Sequence, residues 1–218
     1  EGIRYSLAVG YHKKDGLMQN VSYNRFNVRS NIDAKINKRL DVALNLSASR
    51  DDRMAPATSS VSNPDTDMFN IMYHAFRETP TTPIQFSNGN YGLFLNEHNS
   101  VAEARNSGVS HVYNYNFQGN ASFVYKIMDG LNLRGNAAAT YYLKDTYVFQ
   151  KKMNFYTADS EEPIKSTRSL VKDMDKKSLE LNLQAYIDYD KTFGKHGIKA
   201  LLGYSQIHNE YRLLSALR

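Results

Sequence analysis

The sequence predicts an all-β chain: a portion of an antiparallel transmembrane β-barrel, about seven long strands with long extracellular loops, one containing a short helix. Three observations support that class. Apolar and polar side chains alternate with a period of two through seven separate stretches, the pattern of strands with one wet and one apolar face. The stretches run to about 10–18 residues, where globular strands centre on about 5–6. The links between them alternate short and long, as in outer-membrane barrels with short periplasmic turns and long extracellular loops.

Taken in order, Tyr5, Leu7, Val9 and Tyr11 alternate with Arg4, Ser6, Ala8 and Gly10. Phe26, Val28, Ile32, Ala34 and Ile36 alternate with Asn27, Arg29, Asn31, Asp33 and Lys35, and Leu40, Val42, Leu44, Leu46 and Ala48 with Asp41, Asn45, Ser47 and Ser49. After a long interruption, Tyr113, Tyr115, Phe117, Ala121, Phe123 and Tyr125 oppose Asn114, Asn116, Gln118, Asn120 and Ser122. Leu131, Leu133, Ala137, Ala139, Tyr141 and Leu143 face away from Asn132, Arg134, Asn136, Thr140 and Lys144. Leu179 to Tyr189 repeat the pattern against Glu180, Asn182, Gln184 and Asp188. A seventh stretch, Ile198, Ala200, Leu202 and Tyr204, has a weaker polar partner set.

The polar face of Asn, Arg, Asp, Gln, Lys and Ser is too hydrophilic for a dry core, where each unpaired group costs about 1–3 kcal/mol. The apolar face therefore belongs against lipid and the polar face against water. A tilted strand crosses a bilayer in roughly 9–11 residues, which these stretches satisfy. The mean hydropathy of −0.57 fits strands that hide only alternate residues in lipid. No apolar run approaches the roughly 20 residues of a spanning helix. With no cysteine there are no disulfides, thiolate metal sites or cysteine nucleophiles. The net charge of +5 comes from Lys and Arg scattered along the chain, a poor match to a nucleic-acid groove. The chain opens at Glu1 and closes at Arg218 in mid-pattern, and seven is an odd number of strands, so a partial barrel over residues 1–218 is expected.

Short links are Asn37-Lys38-Arg39, Met128-Asp129-Gly130 and Lys191 to Gly197; long ones are Lys13 to Asn20, about 51–109 and about 150–177. Tyr5, Tyr11, Tyr23, Tyr113, Tyr141, Tyr147 and Tyr189 near strand ends suit an interfacial girdle. The first long loop carries a helix signature: Asn63-Pro64, then Asp65 and Asp67, then Met68, Ile71, Met72, Ala75 and Phe76, ending by Thr79-Pro80.

No catalytic or metal site is expected, and no cofactor. His12, His74, His98, His111, His196 and His208 form no i, i+4 pair, and no Gly-x-Ser-x-Gly elbow occurs. Asp51, Asp52, Asp65 and Asp67 match no calcium loop, and capping explains the last two. The wet face offers better candidates for substrate binding: Asn27, Arg29, Asn31, Asn45, Asn114, Asn116, Gln118 and Asn120. Amide and guanidinium groups suit hydroxyl-rich solutes such as oligosaccharides, and also peptides. In the loop, Tyr73, Phe76, Arg77, Phe86, Tyr91 and Phe94 could stack on a substrate, pack against a lid protein, or form a small core.

Gly10-Tyr11, Asp15-Gly16-Leu17-Met18 and Tyr23-Asn24-Arg25-Phe26-Asn27-Val28-Arg29-Ser30-Asn31-Ile32-Asp33 resemble SusC/RagA-type TonB-dependent transporters of Bacteroidota. Pro80-Thr81-Thr82-Pro83, Asn88-Gly89-Asn90-Tyr91 and Asn99-Ser100-Val101-Ala102 are similar to that family's loop landmarks, with Asn88 in place of Asp and Ser100 in place of Pro. The resemblance is specific over about residues 1–105. It implies a plugged 22-stranded barrel in the bacterial outer membrane, against lipid and lipopolysaccharide. It also implies a SusD-like surface lipoprotein as partner, coupling to TonB through a segment absent here, and import of an oligosaccharide or peptide. A non-transporting barrel (porin or adhesin) and a soluble β-rich carbohydrate-binding module stay open as alternatives.

Overall fold

The computed structural model describes residues 2–57, 67–81, 83–94, 98–158 and 160–218, at positions 67 and 68 the backbone alone. In chain order the elements are β1 (Gly2–Asp15), β2 (Ser22–Lys35), β3 (Leu40–Ala55), α1 (Asp67–Arg77), α2 (Ser100–Asn106), β4 (Gly108–Met128), β5 (Leu131–Gln150), β6 (Asn154–Phe155), β7 (Lys165–Ser166), β8 (Leu170–Phe193) and β9 (His196–Leu217). Seven long strands form one antiparallel sheet in the order β1-β2-β3-β4-β5-β8-β9, while β6 and β7 pair in a small hairpin. The sheet is unclosed, and β1 and β9 are its edges.

Local chemistry sets the tight turns. Asn37 accepts hydrogen bonds on Oδ1 from the Arg39 and Leu40 amides, 2.8 and 3.0 Å, an Asx turn that reverses β2 into β3. Gly130 supplies a φ of +81° after Asp129, a value an L side chain rarely adopts. At the other end, the strands outrun their alternation. β3 continues to Ala55, and β8 starts at Leu170, so the second long link covers 151–169 instead of about 150–177. Above the lipid both faces are wet, and Lys172, Asp173, Asp175, Lys176 and Lys177 extend the β5–β8 ladder without any apolar period to reveal it.

The register places the two faces. Val9, Val28, Ala48, Phe117, Tyr141 and Leu179 sit opposite one another across six strands, and Arg29, Ser47, Gln118, Thr140 and Glu180 do so on the other face. The apolar face lies open: Leu7, Phe117 and Leu183 are all exposed. Buried apolar side chains (Ala57, Ile71, Phe94, Ala102, Val112, Val148, Met153, Phe155) gather at the long-link end. A soluble domain would bury a face this apolar; a barrel wall turns it to lipid. Tyr23 departs from the expected girdle, because it shares the polar face with Lys14 and Arg53 and donates its hydroxyl to Asp51 at 3.0 Å.

The ladder also contains the strand tilt. From Leu7, at the centre of the apolar stretch of β1, the cross-strand row runs through Ser30, Leu46, Gly119, Ala139 and Leu181 to His208. The apolar stretch of β9 centres near Leu202, six residues away from His208 after six strand steps. The lipid band thus drifts by one residue per strand. At a rise of about 3.3 Å and a spacing of about 4.8 Å this is a tilt of about 35°, the inclination of membrane barrels. Beyond Tyr204 the alternation of β9 inverts, placing Ile207, Tyr211 and Leu213 on the polar face opposite Asn182, Ser178 and Lys176.

Candidate functional site

The polar face of β2, β3 and β4 brings most of the sequence-predicted residues together. Arg29, Asn31, Asn45, Ser47, Gln118, Asn120 and Thr140 line a depression of about 390 Å³. Arg25, Asn27, Arg29, Ser49, Asn116 and Gln118 line an adjoining one of about 500 Å³, with Arg29, Ser47 and Gln118 common to both. Strand pairing makes this unavoidable: Asn31 faces Asn45, which faces Asn120, and Asn27 faces Ser49, which faces Asn116. Part of the hydrogen-bonding capacity is spent within the wall. Asn31 Nδ2 donates to Ser6 Oγ at 3.1 Å, and Asn120 Nδ2 to Asn136 Oδ1 at 2.8 Å. Tyr142 donates to Asn114 Oδ1 at 2.9 Å, so a phenol absent from the sequence-based candidates joins the wall. Its parity with Thr140 and Lys144 was the available signal. A face of amides, hydroxyls and guanidinium groups can hold polar solutes in many orientations, since each amide both donates and accepts.

The loop candidates divide differently. On α1, Arg77 Nη1 donates to Tyr73 Oη at 3.0 Å, and the guanidinium carbon lies 5.1 Å from the Tyr73 ring centroid. This pair and Phe76 (86% exposed) face solvent, while Ile71 packs inward. Tyr91 is instead a framework residue. It packs on the cluster of Ala102, Met153 and Phe155, and its carbonyl accepts from the Tyr156 amide at 2.9 Å. Phe94 is buried too. The two long links therefore meet in one small core. The start of the expected helix, Asn63 to Asp65, lies outside the described residues.

Asn99 is the centre of that core. It is wholly buried, donates through Nδ2 to the carbonyls of Ile84 (2.8 Å) and Gly92 (2.9 Å), and accepts on Oδ1 from the Ala102 amide (2.9 Å) as the cap of α2. Glu78, just after α1, accepts from the Ser100 amide at 2.5 Å and from Ser100 Oγ at 2.7 Å, tying the two helices. Proline at position 100 could not supply either donor, so the departure from the family landmark is matched by a local use.

Beside it, Glu103 Oε1 lies 3.0 Å from His98 Nδ1, and the His98 ring stacks on that of His74 at 3.5 Å between centroids. Burial pushes the Glu103 carboxyl above its ordinary value of 4.5, and nearby Glu78 adds to this, while His98 and Lys165 pull the other way. An acid with a raised folded pKa stabilises the fold most when it is neutral, below the unfolded value, and that contribution is lost as pH rises through the folded pKa. Glu103→Gln is therefore expected to slow amide exchange in α2 at neutral pH and to flatten its pH dependence, after correction for intrinsic rates. An unchanged pH slope would rule out Glu103 as its source. Among the described residues no group of three or more metal-ligating side chains assembles. Asp51 and Asp52 point to opposite faces, which prevents the shared calcium coordination considered from sequence.

These features define a class: the lipid-facing, polar-lined wall of an outer-membrane-type β-barrel. No family model matches the chain. It is 24% identical over 215 residues to the TonB-dependent receptor P3 of Formosa agariphila, which covers 95% of this chain and 20% of that protein. Among solved structures it superimposes on the RagAB peptide importer in the open-open state with a TM-score of 0.65 and 16% identity, over 99% of this chain and 23% of that one. The closed-closed state gives 0.62 and 16% over 100% and 24%, and a further RagAB peptide transporter structure gives 0.64 and 17% over the same shares. The chain thus spans about a fifth to a quarter of the length of these relatives. The resemblance to SusC/RagA-type TonB-dependent transporters is borne out, and with it a place in the bacterial outer membrane.

Proposed function

We propose that this chain forms part of the barrel wall of a TonB-dependent importer, not an enzyme, that takes an oligosaccharide across the outer membrane. The observation that carries the reading is the continuous polar face of β2–β4, where Arg29, Asn31, Asn45 and Gln118 line connected depressions on the side opposite the lipid. Short turns face the periplasm, and the links 56–107 and 151–169 face outward. There Tyr73, Arg77 and the exposed Phe76 meet a SusD-like lipoprotein. Energy arrives from TonB through a segment outside this chain. A peptide cargo is the second reading, supported by the similarity to structures named for peptide import.

The reading is tested in the native host by uptake of a fluorescent oligosaccharide. Replacing Asn31, Asn45 and Gln118 together with alanine should lower uptake by about tenfold, the loss of one or two net hydrogen bonds, at unchanged barrel abundance. Uptake that persists undiminished in a strain lacking TonB would sink the importer reading.

A further inference from the structure

The Lys and Arg residues look scattered along the sequence, but the register sorts them by face and height. On the polar face of the long-link half of the sheet the described strands carry Lys14, Arg25, Arg29, Arg53, Lys144, Lys172 and Lys176 beside the acids Asp51 and Glu180, and Lys14, Arg25, Arg29 and Lys176 alone outnumber those acids. The same face toward the short turns is balanced: Arg4, Lys35, Lys126, Arg134 and Lys199 stand against Asp33, Asp41, Asp188 and Asp190. Arg134 and Asp188 pair at 2.6 Å, and Lys199 and Asp190 at 2.8 Å. On the outer face of the long-link half the sign reverses, with Asp15, Asp52, Asp145, Asp173, Asp175 and Glu210 outnumbering Lys13, Arg50, Lys177 and Arg212.

We infer that the outward-opening half of the inner wall is a binding surface for an anionic solute, one carrying spaced carboxylates or sulfates. The inference rests on the importer reading and narrows its substrate class. General solvation of a lumen needs polar groups but no excess of one sign, and the balanced lower half shows that this wall can be built without one. A concave surface lined by one charge focuses its field toward the opening and concentrates counter-ions there. Basic rings serve anion pores in the same way. Arg25 and Arg29 on β2 themselves line the amide-rich depressions, so the charge and the hydrogen-bonding surface coincide. Arg25 sits 3.5 Å from Asp51 with about half its side chain exposed, leaving guanidinium donors facing the lumen. Across the wall, Lys176 lies 5.4 Å above the Tyr211 ring, and its β9 neighbour Leu213 adds an apolar element.

The test uses the full-length barrel in detergent, titrated with hexagalacturonate, a glutamate-rich hexapeptide and neutral maltohexaose at about 50 and 300 mM NaCl. At least one anionic probe should bind about tenfold or more tighter than maltohexaose at low salt, and should lose most of that margin at high salt, where the Debye length falls below about 10 Å. Binding of the uronate alone identifies a glycan, of the hexapeptide alone an acidic peptide, and of both a charge-led site; each supports the inference. R25Q/K176Q should weaken the anionic probe about tenfold and maltohexaose no more than about twofold, while R134Q at the short-turn end should change neither affinity. Equal affinity for neutral and anionic probes, or no binding by either anion, would overturn the anionic site. TonB-dependent uptake measured in cells would stand or fall separately.

Discussion

Asn99→Ala should unfasten the loops while leaving the wall intact. The side chain is fully buried and makes three hydrogen bonds, two from Nδ2 to the carbonyls of Ile84 and Gly92 and one from the Ala102 amide. Alanine leaves the Gly92 carbonyl and the Ala102 amide without these partners and the Ile84 carbonyl with its 3.3 Å bond from the Gly92 amide, at about 1–3 kcal/mol for each group left unpaired that water cannot reach, and removes a helix cap contributing about 1 kcal/mol. A local loss of about 2–4 kcal/mol is expected, read as faster amide exchange in α2 and residues 84–94 of the full-length protein. The amides of β2 and β3 should exchange unchanged, since their ladder partners lie within the sheet. Asn99→Asp separates the two roles. Aspartate caps helices as well as asparagine but cannot donate to Ile84 or Gly92, and its charge repels both carbonyls. If Asn99→Asp behaves as wild type, capping alone accounts for the residue and the bridging role is wrong.

What was legible in the sequence follows the physics of each signal. Lipid imposes a one-sided constraint on every second residue, so the seven strands and the amide face of Asn27, Asn31, Asn45, Asn114 and Gln118 could be read without coordinates. Where lipid ends, that constraint ends too. Residues 170–177 form strand as surely as 179–189, but with charges on both faces they carry no period. Tyr23 illustrates a second limit. Its aromatic type suggested a girdle, whereas parity, counted from Arg25 and Asn27, places it inside. Helix α2 is seven residues long, too short for a periodicity to reveal it, and depends on its Asn99 cap together with tertiary contacts to Glu78 and the Phe155 cluster. The basic inner surface needed register as well as parity: Arg25, Lys144 and Lys176 are far apart in sequence but lie in one cross-strand row.

Leu44→Arg and Asn45→Arg, one residue apart, should differ by about 2–4 kcal/mol in the stability of the barrel in lipid vesicles. Leu44 faces outward between Ile32 and Ala121, at the middle of the apolar stretch of β3, and Asn45 faces inward between Asn31 and Asn120. Adjacent residues share nearly the same depth, so the comparison isolates the face. An outward arginine near the bilayer midplane costs about 2–4 kcal/mol, and an inward one meets water and neighbouring amides. Urea titration followed by heat-dependent gel migration reads the difference, and a larger penalty for Asn45→Arg would invert the assignment of faces. Arginine alone does not separate lipid from a protein core, because both reject it. Leu44→Ala does. Acyl chains flow into the space a side chain vacates, so in a membrane wall only the transfer difference of about 1 kcal/mol is lost. In a packed core the residual cavity raises the cost to about 2–5 kcal/mol. A small alanine penalty beside a large arginine penalty is the combination that lipid contact at Leu44 requires, and a large penalty for both would instead support a soluble, cored β-module.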